Sequence, residues 1–172
     1  MLGGGEPFLQ ADFLLACLRA CRQRGLHTAV DTSGYVEPEL IREACAVTDL
    51  FLYDLKTLDD ARHRRHVGVP VGPILENLQV LKEAAATVWI RLPLIPGVND
   101  DEASIEAIGR FLVSLDLTQR VHLLPFHKAG MHKNQRLNAA AESDDLESMS
   151  PEAVTQIAEQ LAAFGLDVHK GG

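Results

Sequence analysis

Four short segments of the sequence carry residue types that could hold a charged ligand. Each one follows a stretch with the character of a β-strand: Gly4-Gly5-Glu6, Asp31-Thr32, Asp54-Leu55-Lys56 and Pro125-Phe126-His127. Glycines let a backbone approach a ligand closely, and carboxylates accept the hydrogen bonds that an ammonium group donates. The simpler alternative is that loop ends are merely polar. Ordinary loops would place aspartate, lysine and histidine directly after strands less often, so the set favours a ligand site.

Alternating strands and helices must position these groups. Apolar runs predict strands at 27–30, 50–53, 88–92, 121–124 and 166–169, and helical spacing predicts helices at 11–24, 38–46, 74–86, 102–115 and 151–164. Strand and helix alternate as in βα units, which indicates an α/β fold with a parallel sheet. In such folds ligands bind beyond the carboxyl ends of the strands, so the four segments are expected to converge on one face.

The composition fits one globular domain spanning 1–172. Of the 172 residues, 47% are hydrophobic, which is enough to form a core. The net charge of −8 argues against the basic surface that binds nucleic acid. No apolar run is long enough for a membrane span, and three cysteines, an odd number, do not indicate a disulfide scaffold. The sequence therefore predicts a cytoplasmic protein that binds neither nucleic acid nor membrane. The acidic stretch 139–150 is predicted to be a loop.

Taken in order, seven motifs resemble the glycyl radical enzyme activating enzymes, a family of radical S-adenosylmethionine (SAM) enzymes of the pyruvate formate-lyase activating type. The motifs are Gly4-Gly5-Glu6-Pro7, Asp31-Thr32-Ser33-Gly34, Asp54-Leu55-Lys56, His63 with Val67-Gly68, Trp89-Ile90-Arg91, Pro96-Gly97-Val98-Asn99-Asp100, and Leu124-Pro125-Phe126-His127 with Gly130 and Lys133. The resemblance covers 3–135 well and 151–172, the last helix and strand, loosely. It implies a partial (β/α) barrel.

The resemblance also implies a SAM site. Its residues are Gly4, Gly5, Glu6, Asp54, Lys56, Arg91 and His127. The Gly4–Glu6 segment would hold the SAM amino group, and Lys56 would pair with the SAM carboxylate. Simpler alternatives are a solvated surface lysine at Lys56, an ordinary loop histidine at His127 and a salt bridge at Arg91.

In some members of the family a monovalent cation lies beside the SAM carboxylate. The matching positions here are Asp31, Thr32 and Asp54, whose oxygens are the hard ligands that such an ion prefers. Asp31 could instead be a turn former before Gly34. Asn99 and Asp100 are expected to shape the cavity. The basic run 62–66 is interpreted as a solvated helix face or as an edge that faces a protein substrate.

The family's [4Fe–4S] cluster is held by a Cys-x3-Cys-x2-Cys loop, and this motif is absent from the 172 residues. Cys17 and Cys21 lie four residues apart in a predicted helix, but Arg24 stands where a third cysteine would be needed. Both, like Cys45, are interpreted as small core residues. The resemblance therefore implies a chain that lacks the first β/α unit. The strand at 27–31 would then have an exposed edge through which the chain could self-associate.

Three functions remain open from the sequence. The first is a glycyl radical enzyme activating enzyme, in which a complete protein uses the cluster and SAM to generate a glycyl radical on a partner such as pyruvate formate-lyase. On this hypothesis the present chain alone is inactive. The second is a cluster-free module that binds SAM or the partner without catalysis. The third, an unrelated aldolase that uses Lys56 as a Schiff-base amine, is disfavoured by the ordered motifs.

Overall fold

Five parallel strands form one sheet, in the order in which they occur along the chain. In the computed structural model the described residues are 1–3, 5–116, 120–126 and 148–171. The strands are β1 (Ala29–Thr32), β2 (Leu50–Asp54), β3 (Val88–Leu94), β4 (Arg120–Pro125) and β5 (Asp167–Lys170). All five lie within a few residues of the predicted strands. The α/β class and the parallel sheet are therefore confirmed.

Helices connect the strands, as a parallel sheet requires. They are a short 3-10 helix (Pro7–Gln10), α1 (Ala11–Gln23), α2 (Pro38–Cys45), α3 (Asp60–Val67), α4 (Gly72–Glu83), α5 (Glu102–Ser114) and α6 (Pro151–Ala162). The five predicted helices are confirmed. The basic run 62–66 lies in α3, where Arg64, Arg65 and His66 are exposed but His63 is buried, with its Nδ1 2.6 Å from the Val69 carbonyl oxygen.

The two faces of the sheet differ in character because successive side chains of a strand point to opposite sides. One face is apolar and buried, with Val30, Phe51, Ile90, Leu92 and Val121 in the core. The other face carries charged and aromatic groups that are only partly buried: Asp31, Asp54, Trp89, Arg91, His122 and His169. This second face is referred to below as the polar face.

Strand β1 lies at one end of the sheet, as expected from the predicted exposed edge. Beyond it only Leu2 forms a bridge, opposite Val30, among the residues that the structure describes. The Leu2 amide donates to the Ala29 carbonyl at 2.8 Å, and the Asp31 amide donates to the Leu2 carbonyl at 3.0 Å. This contact places the beginning of the chain beside β1.

Helix α1 corrects the prediction for the cysteines. Its buried residues are Leu14, Leu15 and Leu18, whereas Cys17 and Cys21 are only partly buried and Phe13 is 68% exposed. Residues 13 and 17 are four positions apart in α1 and therefore share a face of the helix, which is less buried than the face that carries Leu14 and Leu18. Cys45, near the end of α2, is also partly buried and packs against the core.

Most of the predicted acidic loop, residues 139–147, lies outside the described residues. Residues 148–150 have no regular structure, and Met149 among them is buried. Within the described ranges, no helix combines the length and the apolar character needed to cross a bilayer.

Candidate functional site

Arg91 joins two neighbouring strands on the polar face. Its Nε and Nη2 donate to Oδ1 of Asp54 at 2.8 and 2.7 Å, and Nη2 also contacts Oδ1 of Asp31. Register places Asp54 directly opposite Arg91, and Asp31 lies one strand further on. The salt bridge considered for Arg91 is therefore formed, with two carboxylates sharing one guanidinium.

Opposing effects act on the Asp31 carboxyl in this group. Burial raises the pKa of the Asp31 carboxyl above its ordinary value; the Arg91 charge opposes this rise, and repulsion from Asp54 adds to it. Two carboxylates and one guanidinium leave a net negative charge when both acids are ionised. The cation that balances this charge is the nearby Lys56.

Lys56 adds a second cation immediately after β2. Its Nζ lies 3.8 Å from Oδ2 of Asp54, and both side chains are less than one third exposed. The buried Asn99 fixes the Lys56 backbone, because its Nδ2 donates to the Lys56 carbonyl at 2.6 Å and to the Pro93 carbonyl at 2.7 Å. The loop after β3 therefore sets the position of the residue that is expected to pair with a ligand carboxylate.

Glu6 lies at the start of the 3-10 helix and reaches across to the end of β1. Its Oε1 accepts from the Thr32 hydroxyl at 2.8 Å and from the Phe8 amide at 3.3 Å. Its Oε2 accepts from the Ser33 amide at 2.9 Å and from the Ser33 hydroxyl. The first and second predicted segments are therefore in direct contact.

Six of the predicted site residues form two linked groups. Arg91 contacts Asp31 and Asp54, and Asp54 also contacts Lys56. Thr32, the neighbour of Asp31 in the sequence, donates to Glu6. Gly5 lies next to Glu6 with a φ of 92°, a backbone conformation that glycine adopts readily. Gly4 and His127 lie outside the described residues. The predicted convergence of the first three segments is therefore visible in this structure.

Sequence reasoning missed two polar contributors. Asn77 of α4 is fully buried and donates to the carbonyls of Gly34 and Val36 at 2.9 and 2.7 Å. Its position in an apolar helical pattern gave no signal of this role. His122, opposite Arg91 on β4, stacks on Trp89 with ring centroids 5.3 Å apart. A histidine that alternates with core residues of a strand was a usable signal for the polar face.

The residues present do not form a cluster site. In the part of the chain that the structure describes, no group of three His, Cys, Asp or Glu side chains is arranged to hold a metal ion. Cys17 and Cys21 lie on α1, whereas Cys45 lies on α2. We derive no chemical step from an iron–sulfur cluster in this chain.

The oxygens expected to hold a monovalent cation are also engaged within the chain. Asp31 and Asp54 contact Arg91, and the Thr32 hydroxyl donates to Glu6 while it accepts from the Gly34 amide at 3.0 Å. A cation at these residues would share the two carboxylates with Arg91.

Comparison with known proteins identifies the family. The family model described as the radical SAM superfamily matches residues 1–108. This match includes both polar groups described above, from Glu6 to Arg91. The chain belongs to the radical SAM superfamily, and its similar relatives are glycyl radical enzyme activating enzymes.

Two curated relatives show the extent of the similarity. The trans-4-hydroxy-L-proline dehydratase activating enzyme of Clostridioides difficile is 36% identical, over 99% of this chain and 57% of the relative. The pyruvate formate-lyase 1-activating enzyme of Escherichia coli strain K12 is 34% identical, over 94% of this chain and 67% of the relative. The chain thus spans roughly three fifths of the length of these relatives.

Solved structures agree with the fold. A crystal structure of a domain of pyruvate-formate lyase-activating enzyme from Bacteroides vulgatus superposes with a TM-score of 0.83 at 34% identity, covering 99% of this chain and 97% of that domain. A radical SAM methyltransferase from Sphaerobacter thermophilus superposes with a TM-score of 0.74 at 21% identity, covering 99% of this chain and 49% of that one. The second likeness shows the fold alone.

Proposed function

We propose that this chain forms the SAM-binding part of a glycyl radical enzyme activating enzyme. The observation that carries the proposal is the group of Asp31, Asp54, Lys56 and Arg91, which lies on the polar face of the sheet near the carboxyl ends of neighbouring strands. Ligands of parallel α/β folds bind at that edge. SAM carries an ammonium, a carboxylate and a sulfonium, and the group offers both carboxylates and cations.

Each side chain has a role that follows from its charge. Lys56 pairs with the SAM carboxylate, since an ammonium group can only donate hydrogen bonds. Asp54 holds Lys56 and Arg91 together from one side, so it orients both cations. Gly4, Gly5 and His127 complete the proposed site. In the family the [4Fe–4S] cluster supplies an electron to SAM when both are bound, and this chain contributes binding and orientation.

The protein partner proposed for the complete enzyme is a glycyl radical enzyme such as pyruvate formate-lyase. Relatives of this chain carry names of activating enzymes for several such partners, among them a trans-4-hydroxy-L-proline dehydratase and a choline trimethylamine-lyase. The monovalent cation, the cytoplasmic location and self-association through β1 stay predictions.

The test of the activity begins with the gene and continues with the encoded polypeptide. The DNA upstream of the first codon is read in frame for Cys-x3-Cys-x2-Cys, and the polypeptide that includes this motif is incubated without oxygen with SAM, a reductant and pyruvate formate-lyase. A glycyl radical signal in electron paramagnetic resonance is expected with this or another glycyl radical enzyme. If the reading frame contains no such motif, the cluster-free binding module becomes the better account of the chain.

A further inference from the structure

We propose that the Glu6 carboxylate is a positioning group that clamps the turn after β1, and that it does not contact the SAM ammonium. The inference rests on the proposed function for its ligand, but the clamp itself is a property of this chain. It changes the role that the resemblance implies for Glu6, from ligand contact to support of the site.

Hydrogen bonds within the chain occupy the acceptor positions of the Glu6 carboxylate. An ionised carboxylate offers about four acceptor positions. Four donors of this chain point at Glu6: the Phe8 amide, the Thr32 hydroxyl, and the amide and hydroxyl of Ser33. An ammonium that bound to this carboxylate would have to displace one of them. The acceptor capacity of Glu6 is therefore used within the protein.

The hydrogen bonds to Glu6 connect residues that are far apart along the chain. Thr32 and Ser33 are 26 and 27 positions away from Glu6, whereas Phe8 is only two away. One carboxylate therefore joins the beginning of the chain, the start of the 3-10 helix and the end of β1. Asp31, which contacts Arg91, immediately precedes the clamped residues.

The same turn is also held from its other side. Gly34 has a φ of 75°, and its carbonyl accepts from the buried Asn77 at 2.9 Å. The Thr32 hydroxyl accepts from the Gly34 amide at 3.0 Å while it donates to Glu6. The turn is thus fixed between Glu6 and Asn77, as is expected for groups that preorganise a binding site.

Binding of two ligands distinguishes a Glu6 that positions the turn from a Glu6 that contacts the SAM ammonium. Calorimetry compares SAM with its analogue in which hydrogen replaces the amino group, for the wild-type chain and for Glu6→Gln. A clamp predicts that the substitution weakens both ligands by the same factor, within about twofold, because the lost support does not depend on the ammonium. A loss for SAM at least tenfold larger than the loss for the analogue would overturn the proposal.

A second measurement requires no ligand. Thermal unfolding is followed for Glu6→Gln, Ser33→Ala and the double variant. The matched control is Glu83→Gln, at an exposed position at the end of α4. We expect both single variants to lower Tm, the double variant to lower it by less than the sum, and the control to leave it unchanged. Additive shifts, or an unchanged Tm in Glu6→Gln and Ser33→Ala, would overturn the clamp.

The two measurements also separate the clamp from the proposed function. If the wild-type chain binds neither ligand, the SAM site proposed for this chain is wrong, and the unfolding cycle still decides whether Glu6 clamps the turn. If SAM binds and the unfolding cycle shows no coupling, the clamp is wrong and the proposed function stands. Ser33→Ala keeps the comparison informative if Glu6→Gln does not fold.

Discussion

Asp31 and Asp54 place two carboxylates on neighbouring strands, and the guanidinium of Arg91 contacts both. Burial raises the pKa of Asp31, so the folded protein holds that proton more tightly than the unfolded chain does. Stability from this group is complete below the ordinary carboxyl pKa of 3.8 and is lost as the pH rises through the folded pKa. The site therefore carries an electrostatic cost near neutral pH.

Removing the Asp31 charge should relieve this cost. We expect Asp31→Asn to have a higher free energy of unfolding than the wild type near neutral pH, by about 1.4 kcal/mol for each unit by which the pKa is raised. The difference should vanish at a pH well below 3.8, where Asp31 is protonated in both states. Urea unfolding across this pH range tests it, with the exposed Glu76→Gln as control. A variant that is less stable than the wild type at every pH would contradict the expectation.

Individual residues also show what the sequence could not reveal. The types and spacing of Asp31, Asp54 and Lys56 predicted that they lie close together, because strand ends of parallel units meet at one edge. The structure shows this proximity. The four donors on Glu6 were not predictable, since three of them lie 26 or 27 positions away and depend on how the chain packs. For Arg91, the sequence left open whether the side chain forms a salt bridge or contacts a ligand.

Strands were the most predictable elements, because β-branched and aromatic runs ended at polar residues. Helix α3 was predicted only as a solvated face, since His63 is its one buried residue and its apolar pattern is therefore weak. What holds α3 in place is polar: Arg62 donates to Asp101 at 2.6 Å and to the Val98 carbonyl at 3.1 Å. Such long-range pairs leave no periodic signal in a sequence.

Asp101 contacts Arg62 of α3 and caps α5, so its substitution should destabilise both helices. It caps α5 by accepting from the Ser104 amide at 3.0 Å, and its contacts with Arg62 and Ser104 lower its pKa to about 2. Asp101→Ala should destabilise the fold by about 0.5–2 kcal/mol, the usual cost of a lost cap. Asp101→Asn should keep the cap and lose less. Urea unfolding at neutral pH measures both, and equal losses would contradict a capping role.

The charge on Asp101 gives this effect a defined pH dependence. A lowered pKa means that the stabilisation is present above 3.8, the ordinary carboxyl value, and is lost as the pH falls towards 2. The wild type and Asp101→Asn should therefore converge in stability as the medium is acidified. Divergence on acidification would show that the charge acts in the opposite direction.

The turn after β1 should be intolerant of a side chain at Gly34. A Cβ there would lie 1.8 Å from the Tyr53 hydroxyl oxygen, and the φ of 75° is itself unfavourable for other residues. Gly68 provides the matched control, since it has a φ of 89° but open space around it. We expect Gly68→Ala to cost about 1–2 kcal/mol. Gly34→Ala should cost clearly more, and equal losses in thermal unfolding would contradict the packing argument.

For the whole molecule, the fold and the family agree, whereas the cysteine motif of the family's cluster is absent from these 172 residues. The chain spans roughly three fifths of its curated relatives, yet nearly the whole length of a domain that has been crystallised. The sheet that supports the proposed SAM site is therefore a unit seen in another member. Among the described residues, strand β1 forms one edge of this sheet, and Phe13 of α1 is exposed.

The chain as given should bind no stoichiometric iron–sulfur cluster. It contains three cysteines, without the Cys-x3-Cys-x2-Cys spacing. Reconstitution without oxygen, followed by iron and sulfide analysis, is expected to leave only traces, and a Cys17→Ser, Cys21→Ser, Cys45→Ser variant should behave identically. Four irons per chain in the wild type, absent from the triple variant, would contradict this expectation.

SAM binding to this chain tests the central claim most directly. Titration calorimetry compares the wild type with Lys56→Met and with Lys82→Met, an exposed lysine of α4 that serves as the matched control. Lys56→Met is expected to weaken SAM binding by about 1–3 kcal/mol, the range for a hydrogen bond to a charged group, while Lys82→Met binds as the wild type does. Equal affinity in all three proteins, or no binding to the folded wild type, would contradict a SAM site at the Asp31, Asp54, Lys56 and Arg91 group.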